Sequence, residues 1–365
     1  MVLDRVPESR LFSPLTIRST TFRNRLWVAA MCQYSVDEED GVPTDWHLVH
    51  LGSFARGGAG LVMTEATAVS PVGRISAEDT GLYTDVQRDA WRRIVDFLHG
   101  QGAVAGVQLA HAGRKGSQYR EWGPQSGTRP VGEGGWQTVA PSAVAFEGYD
   151  APVALDHDGI RRVVQDFADA ARRAVSAGFD VIEIHAAHGY LLHQFLSPLS
   201  NRRDDEYGGP LENRARLVLE VVGAVREVVA DRPVFVRFSA TDYADGGLDE
   251  VQVAAVARLA AEAGADLFDI SSGGVVAGVT IPVGPGYQVR FAEHVRTSAE
   301  VPVSAVGLIV AADQAEEIIA SGRADAVMAG REFLRDPHFA LRAAHELGVR
   351  LDYAPRQYHR GGWRD

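Results

Sequence analysis

The stretch VIEIHAAHGYLLHQFLSP, residues 181–198, sets His185 and His188 three residues apart and Tyr190 two further on. Four readings suit such a set. A metal site needs two or three further ligands converging on the imidazoles, with His111 and Glu65 the conceivable candidates. Gly189 follows the second histidine directly, however, so the pair does not ride on a metalloprotease-type helix. General-base catalysis needs an orienting carboxylate, and the sequence sets none beside them. Two N–H donors converging on one carbonyl or phenolate oxygen would stabilise negative charge there, as an oxyanion hole does, with Tyr190 near enough to give a proton. The last reading is two structural histidines with satisfied hydrogen bonds.

What could hold such a set is legible in the hydrophobic pattern. Apolar runs that read as buried strands occupy 25–32, 59–66, 104–111, 180–187, 233–240, 266–273, 302–307 and 325–330, and amphipathic helical stretches fill 85–100, 159–177, 211–230, 249–263 and 311–321 between most of them. Eight strand–helix units predict an α/β fold of the (β/α)₈ TIM-barrel class. A doubly wound sheet would normally carry a G-x-G-x-x-G loop after its first strand, and Gln33-Tyr34-Ser35 stands there instead. Residues 1–24 alternate like a small hairpin that plugs the lower end of the barrel. Residues 112–155, rich in Gly, Pro and Trp, read as a lid inserted after strand 3, with the stretch 135–146 offering one strand of a hairpin. No repeat or linker divides the chain, which predicts a single domain over 1–365.

Composition narrows the function classes. The chain has 365 residues, 46% hydrophobic and 23% charged, with 36 basic against 48 acidic residues and a net charge of −12. That field disfavours nucleic acid and anionic membranes as partners. The first residues lack the apolar core of a signal peptide, and no stretch approaches the roughly 20 apolar residues of a membrane span. A cytoplasmic protein is therefore expected. Cys32 is the only cysteine, which excludes a disulfide framework, a four-cysteine zinc site and a cysteine-ligated iron–sulfur cluster within one chain.

In barrels of this class the active site lies at the carboxyl ends of the strands. Those ends bring Cys32, then Glu65 and Ala66, Gln108 and His111, His185 and His188, Arg237, Ser271 and Ser272, and Gly307, and finally Gly330 with Arg331. Glu65 reads as structural, a partner for a nearby arginine. Arg237 reads either as half of an ion pair or as a site residue. The glycines after strands seven and eight let backbone N–H groups approach an anion closely, and Arg331 adds a guanidinium fork, so a phosphorylated ligand is expected.

The sequence resembles the old yellow enzyme family of flavoprotein ene-reductases, in its thermophilic-like or class III branch. The resemblance covers nearly the whole chain and is carried by AMCQYS (30–35), QLAHAGRK (108–115), HAAHGYLLHQFLSPLSNRRDDEYGG (185–209), AVGLI (305–309) and AGREFLRDP (329–337). It implies an FMN on the upper face of the barrel. Met31, Cys32 and Ala66 would lie along the isoalloxazine, Gln108 would bond its pyrimidine edge, and Arg237 would sit near its N1–C2 side, favouring the anionic reduced flavin. Ser271, Ser272, Gly273, Gly307, Gly330 and Arg331 would hold the ribityl chain and phosphate. The resemblance further implies that His185 and His188 bind the carbonyl or nitro oxygen of an activated alkene such as an enone, maleimide, nitroalkene or quinone. Flavin N5 would deliver hydride, Tyr190 would protonate the α-carbon, and NADPH or NADH would occupy the same place earlier in a ping-pong cycle.

Tyr34 would line the substrate pocket, and Lys115 matches a substrate-side position near the nicotinamide. In this branch a C-terminal arginine reaches a neighbouring subunit's active site, which implies a homodimer or homotetramer with Arg360, in the tail 350–365, as the matching residue beside Trp363. Two departures stand out: Ala30 replaces the usual proline before Met-Cys, and Gly361-Gly362 stands where one small residue is usual. A metal-dependent barrel hydrolase using His185 and His188 is the alternative from another class.

Overall fold

The computed structural model describes residues 9–362. Eight strands, β1 Leu26–Val28, β2 Leu61–Ala68, β3 Val104–Ala110, β4 Val181–Ala186, β5 Val234–Ser239, β6 Leu267–Ser271, β7 Val303–Ala305 and β8 Ala326–Ala329, pair side by side and close into a barrel. Every pairing in it is parallel. The helices that return the chain are α1 Asp45–Arg56, α2 Asp85–Gly100, α3 His157–Ala177, α4 Leu211–Val229, α5 Glu250–Glu262, α6 Val289–Ala299, α7 Ala312–Ala320 and α8 Phe339–Glu346. This is the (β/α)₈ barrel that the strand–helix alternation predicts.

Local chemistry sets the helix ends. The α2 helix opens on a capping box in which Thr84 accepts from the Gln87 N–H and Gln87 accepts from the Thr84 N–H. The α3 helix opens on Asp156, whose carboxylate takes the Gly159 N–H at 2.7 Å. The sequence pattern overlooked α1, because its buried face includes His47 and Gly52 beside Leu51 and Phe54 and so lacks a clean apolar stripe. It also overlooked α6 and α8.

The expected hairpin forms from Leu15–Ile17 and Thr20–Phe22, which pair antiparallel. Phe22 enters the barrel from below and packs on Trp27 and Phe235 at ring separations of 4.6 and 6.2 Å. Strand periodicity of two then builds the interior in layers. Val181, Phe235 and Leu267 belong to the apolar floor with Trp27, Leu61, Met63 and Met328. Two residues further along the same strands stand Glu183, Arg237 and Asp269, a charged layer inside the barrel, and two beyond Glu183 stands His185.

Two expectations about loops need correction. The lid stretch supplies no hairpin strand: Val139–Ala140 pairs in parallel with Val153–Ala154, because the chain crosses over rather than turning back between them. The first strand ends at Val28 rather than at 32, so Met31 and Cys32 lie on the extended segment beyond it. Among the described residues no helix is long and apolar enough to cross a membrane.

Candidate active site

The segment after β4 folds so that three side chains converge. His188 has φ 57° and Gly189 φ 75°, two successive left-handed residues that turn the backbone sharply. The His185 ring then lies 5.2 Å from that of His188 and 5.1 Å from that of Tyr190, both edge-on. A Cβ on Gly189 would sit 2.1 Å from the Gly274 carbonyl oxygen, so only glycine lets the loop after β6 pass this close.

The turn itself is held by hydrogen bonds from several sides. His188 N–H donates to Ser239 Oγ at 3.0 Å, and its Nε2 pairs with Ser271 Oγ at 2.7 Å. Gly189 N–H donates to His193 Nδ1 at 2.9 Å, which leaves His193 Nε2–H to donate to Asp242 at 2.9 Å. The residue pattern marks the buried His193–Asp242 pair only faintly, by a third histidine one helical turn beyond Gly189. His185 Nδ1 has no partner among the described residues. Burial, then the Arg237 charge, pushes both His185 and His188 well below the usual imidazole range. Both are neutral rings at neutral pH, each carrying one N–H. Burial, then Cys32 and Asp79, holds the Tyr190 phenol above its ordinary range, so it stays protonated.

Beside the triad stand Cys32 and Tyr34, packed with Ala66, Ala110 and Tyr190. Burial pushes the Cys32 thiol up, against hydrogen bonds from the Ala66 backbone and the Tyr34 side chain, which makes it a thiol rather than a thiolate. Ala66 follows a register shift in β2 between Met63 and Ala66, and it sits opposite Gln108. Gln108 Nε2 donates to Glu183 Oε1 at 2.7 Å, and Arg237 Nε lies 2.8 Å from Asp269 Oδ2. Arg237 is thus both ion-paired and at the site. Glu65 pairs with His47 at 2.8 Å and accepts the Gln33 N–H at 2.7 Å. The arginine partner expected for it is corrected to a histidine from the overlooked helix α1.

A cavity of about 270 Å³ runs from Met31 and Arg237 past Ser271 to Gly307, Gly330 and Arg331. Gly307 has φ 120°, and its bare Cα faces the Gln288 side chain, which ties Ser271, Ser272 and the Val306 carbonyl together. Gln288 lies on the connection into α6, where nothing in the sequence marks it. Ser272 also accepts from Tyr243 OH at 3.0 Å, and Gly273 follows it. His111 is buried and accepts the Gly113 N–H, and burial lowers it to about 4. The cavity's lining suits a flat heterocycle with a phosphate tail: the Arg237 guanidinium at one end, glycine backbone and Arg331 at the other.

The lid is anchored rather than loose. Arg114, buried, donates to the Val144 and Val275 carbonyls at 2.9 and 2.5 Å. Lys115 Nζ donates to the His188 and Gly274 carbonyls at 2.9 and 3.2 Å and lies 5.1 Å from the Tyr190 ring centre. Trp122 of the lid donates to the Gln33 carbonyl at 3.0 Å, and with Trp46 and Cys32 it lines an open cleft beside the triad. Arg360 is exposed on the short helical turn Arg356–Gly361, while Trp363 lies outside the described residues. Among the described residues, the three-ligand cluster spaced for a metal is His157, Asp205 and Glu206, which includes neither His185 nor His188.

Residues 10–349 match the NADH:flavin oxidoreductase / NADH oxidase family. An NADPH dehydrogenase of Listeria monocytogenes (serotype 4b) is 50% identical over 96% of this chain and 99% of its own. The old yellow enzyme homologue of Zymomonas mobilis superposes with a TM-score of 0.77 at 30% identity, over 94% of each chain. A 2-naphthoyl-CoA reductase complex gives a TM-score of 0.84 at 26% identity over 92% of this chain, which spans 52% of that longer one. The chain belongs to the NADH:flavin oxidoreductase / NADH oxidase family and is an oxidoreductase of the old yellow enzyme type.

Proposed function

We propose that this flavin oxidoreductase is an FMN-dependent NAD(P)H ene-reductase that reduces the C=C bond of alkenes conjugated to a carbonyl or nitro group. The observation that carries the reading is the triad after β4: two neutral imidazoles and a protonated phenol, with the His188 and Tyr190 rings 5.2 and 5.1 Å from that of His185. When bound, FMN supplies the two-electron transfer from NAD(P)H to the alkene. Met31, Ala66, Gln108 and Arg237 would hold its ring system, and Ser272, Gly273, Gly307, Gly330 and Arg331 its tail.

The chain's own residues do the rest. An N–H from each of His185 and His188 binds the acceptor's oxygen, withdraws electron density and makes the β-carbon electrophilic. Because both rings are held neutral, they donate hydrogen bonds without surrendering a proton to bulk water. The Tyr190 hydroxyl gives its proton to the α-carbon, a transfer for which a phenol held in acid form suits neutral and alkaline pH. Ser271 orients His188, and Lys115 fixes the backbone on which His188 and Tyr190 stand. Tyr34 and Cys32 border the acceptor. Two chains would pair through the tail so that Arg360 of each borders the other's site, with the lid 112–155 selecting acceptors in one flavin-binding unit.

An anaerobic visible spectrum tests this reading. The yellow band should bleach on adding NADPH and return on adding 2-cyclohexenone. A protein that takes up no flavin when offered FMN refutes it. Return of the band at the wild-type rate in the His185→Ala/His188→Ala variant refutes the oxygen-binding role.

A further inference from the structure

Beneath the triad, the charged layer of the barrel does not balance. Glu183 on β4 faces Gln108 on β3, its register partner, and Arg237 with Asp269 occupies β5 and β6. Two carboxylates thus share the buried interior with one guanidinium. Asp269 is the better matched of the two, although burial raises it as well. Its Oδ2 lies in ion-pair contact with Arg237 Nε at 2.8 Å, though not aligned for a hydrogen bond, and its Oδ1 takes a hydrogen bond from Ser304 at 3.0 Å. Glu183 has only the Gln108 amide on Oε1, at 2.7 Å, and its buried Oε2 has no partner. A bare carboxylate oxygen in an apolar interior is costly, whereas a protonated one is not a charge at all.

We propose that Glu183 is a positioning residue that carries a proton on Oε2. It turns the Gln108 carbonyl toward the cofactor and leaves the Arg237 guanidinium, already paired with Asp269, without a second carboxylate to compete for it when negative charge arrives above. The direction agrees with the electrostatics, since burial first and Asp269 second raise Glu183 to about 8 against the pull of Arg237 and the Gln108 hydrogen bond. The other ionisable group nearby, His185 on the same strand, is neutral and supplies no compensating charge. The inference rests on the FMN reading above. In the oxidised enzyme the proton leaves as pH rises through about 8. Reduction, which brings negative charge over Arg237, draws it back.

The test is the midpoint potential of the FMN-loaded enzyme across neutral and alkaline pH. One proton more per two electrons steepens the dependence by about 30 mV per pH unit, so the wild type should show that break in the alkaline range. Glu183→Gln, neutral at every pH, should track the wild type below the break and lack the break itself. A break that persists unchanged in Glu183→Gln, or a wild type with no break, overturns the proposal while the bound flavin leaves the FMN reading intact. If Glu183→Gln fails to hold flavin, the wild type alone decides by reduced-minus-oxidised infrared difference spectra above the break. A protonated-carboxyl C=O band gained on reduction and shifted in heavy water supports the proposal, and its absence sinks it.

Discussion

Replacing Gly189 by alanine should slow catalysis about 100-fold while leaving the protein folded, with a melting temperature only a few degrees lower. The added Cβ would lie 2.1 Å from the Gly274 carbonyl oxygen, whereas real Cβ atoms essentially never come closer than 3.0 Å, so one strand of the turn must move by about 0.9 Å. Both sides of that contact are backbone, and neither can swing aside. The strain of an alanine at φ 75° adds about 1 kcal/mol, and the forced repacking another 1–3 kcal/mol. For a chain of this size, about 3 kcal/mol corresponds to a fall in Tm of roughly 4 °C. The displaced atoms, however, are the link between His188 and Tyr190. A misplacement of about 1 Å in groups that position a reacting molecule costs about 100-fold in rate. Stopped-flow reoxidation by 2-cyclohexenone should therefore slow by about two orders of magnitude, with flavin content retained. Gly209→Ala supplies the control, because its φ of 77° matches but nothing lies within 4 Å of the new Cβ. It should lose the strain term alone and keep full activity. Equal activities in the two variants would refute the claim that this close approach places the triad.

Tyr190→Phe should leave reduction by NADPH unchanged and slow reoxidation by enones about 10²–10⁴-fold, read in the same two half-reactions. Because burial holds the phenol in its acid form, the wild-type reoxidation rate should stay level as pH rises through about 10, where an ordinary tyrosine would ionise. Asp242→Asn should destabilise the fold by about 3–5 kcal/mol, measured by denaturant unfolding, since it breaks a pair with no exposed surface. In the wild type burial raises Asp242, but His193, Ser197 and the Leu248 N–H outweigh it and hold the carboxylate below its ordinary range. That stability is present above the ordinary carboxylate range and lost as pH falls through the depressed value, so the variant's acid limb should be flatter. Arg114→Ala removes charge-assisted bonds of about 1.5–3 kcal/mol each from the lid, and limited proteolysis between residues 118 and 137 should accelerate at least tenfold.

The barrel was legible because its strands are buried on both faces and so read as unbroken apolar runs. Its polar interior hides in the same runs. Glu183 in VIEIH and Asp269 in LFDIS are single acids flanked by apolar residues, where alternation sends them inward, and that position was the available signal. Helix α1 escaped because its inward face carries His47, and with it escaped the true partner of Glu65. Lys115 was placed toward the nicotinamide by resemblance. Its bonds to two carbonyls are a tertiary fact that joins segments more than seventy residues apart, which no local pattern encodes.

The spacing His-x-x-His-Gly-Tyr follows from the turn itself. In a continuing strand, residues 185 and 188 would face opposite sides of the sheet, since side chains alternate with period two. In a helix, 185 and 188 would share a face, but 190 would stand well round from both. Two left-handed residues at 188 and 189 reverse the chain, so that a strand residue, a turn residue and the residue capping the short helix Leu191–Leu196 present their side chains to one point. A non-glycine residue at φ 57° is strained, and the strain is held by bonds to the turn on every side: Ser239 on the His188 N–H, Lys115 on its carbonyl, and His193 on the next N–H. His193 belongs to the short helix that follows, but Ser239 and Lys115 come from other parts of the barrel. The triad is therefore a property of the closed fold, and a fragment carrying residues 181–198 alone would not assemble it.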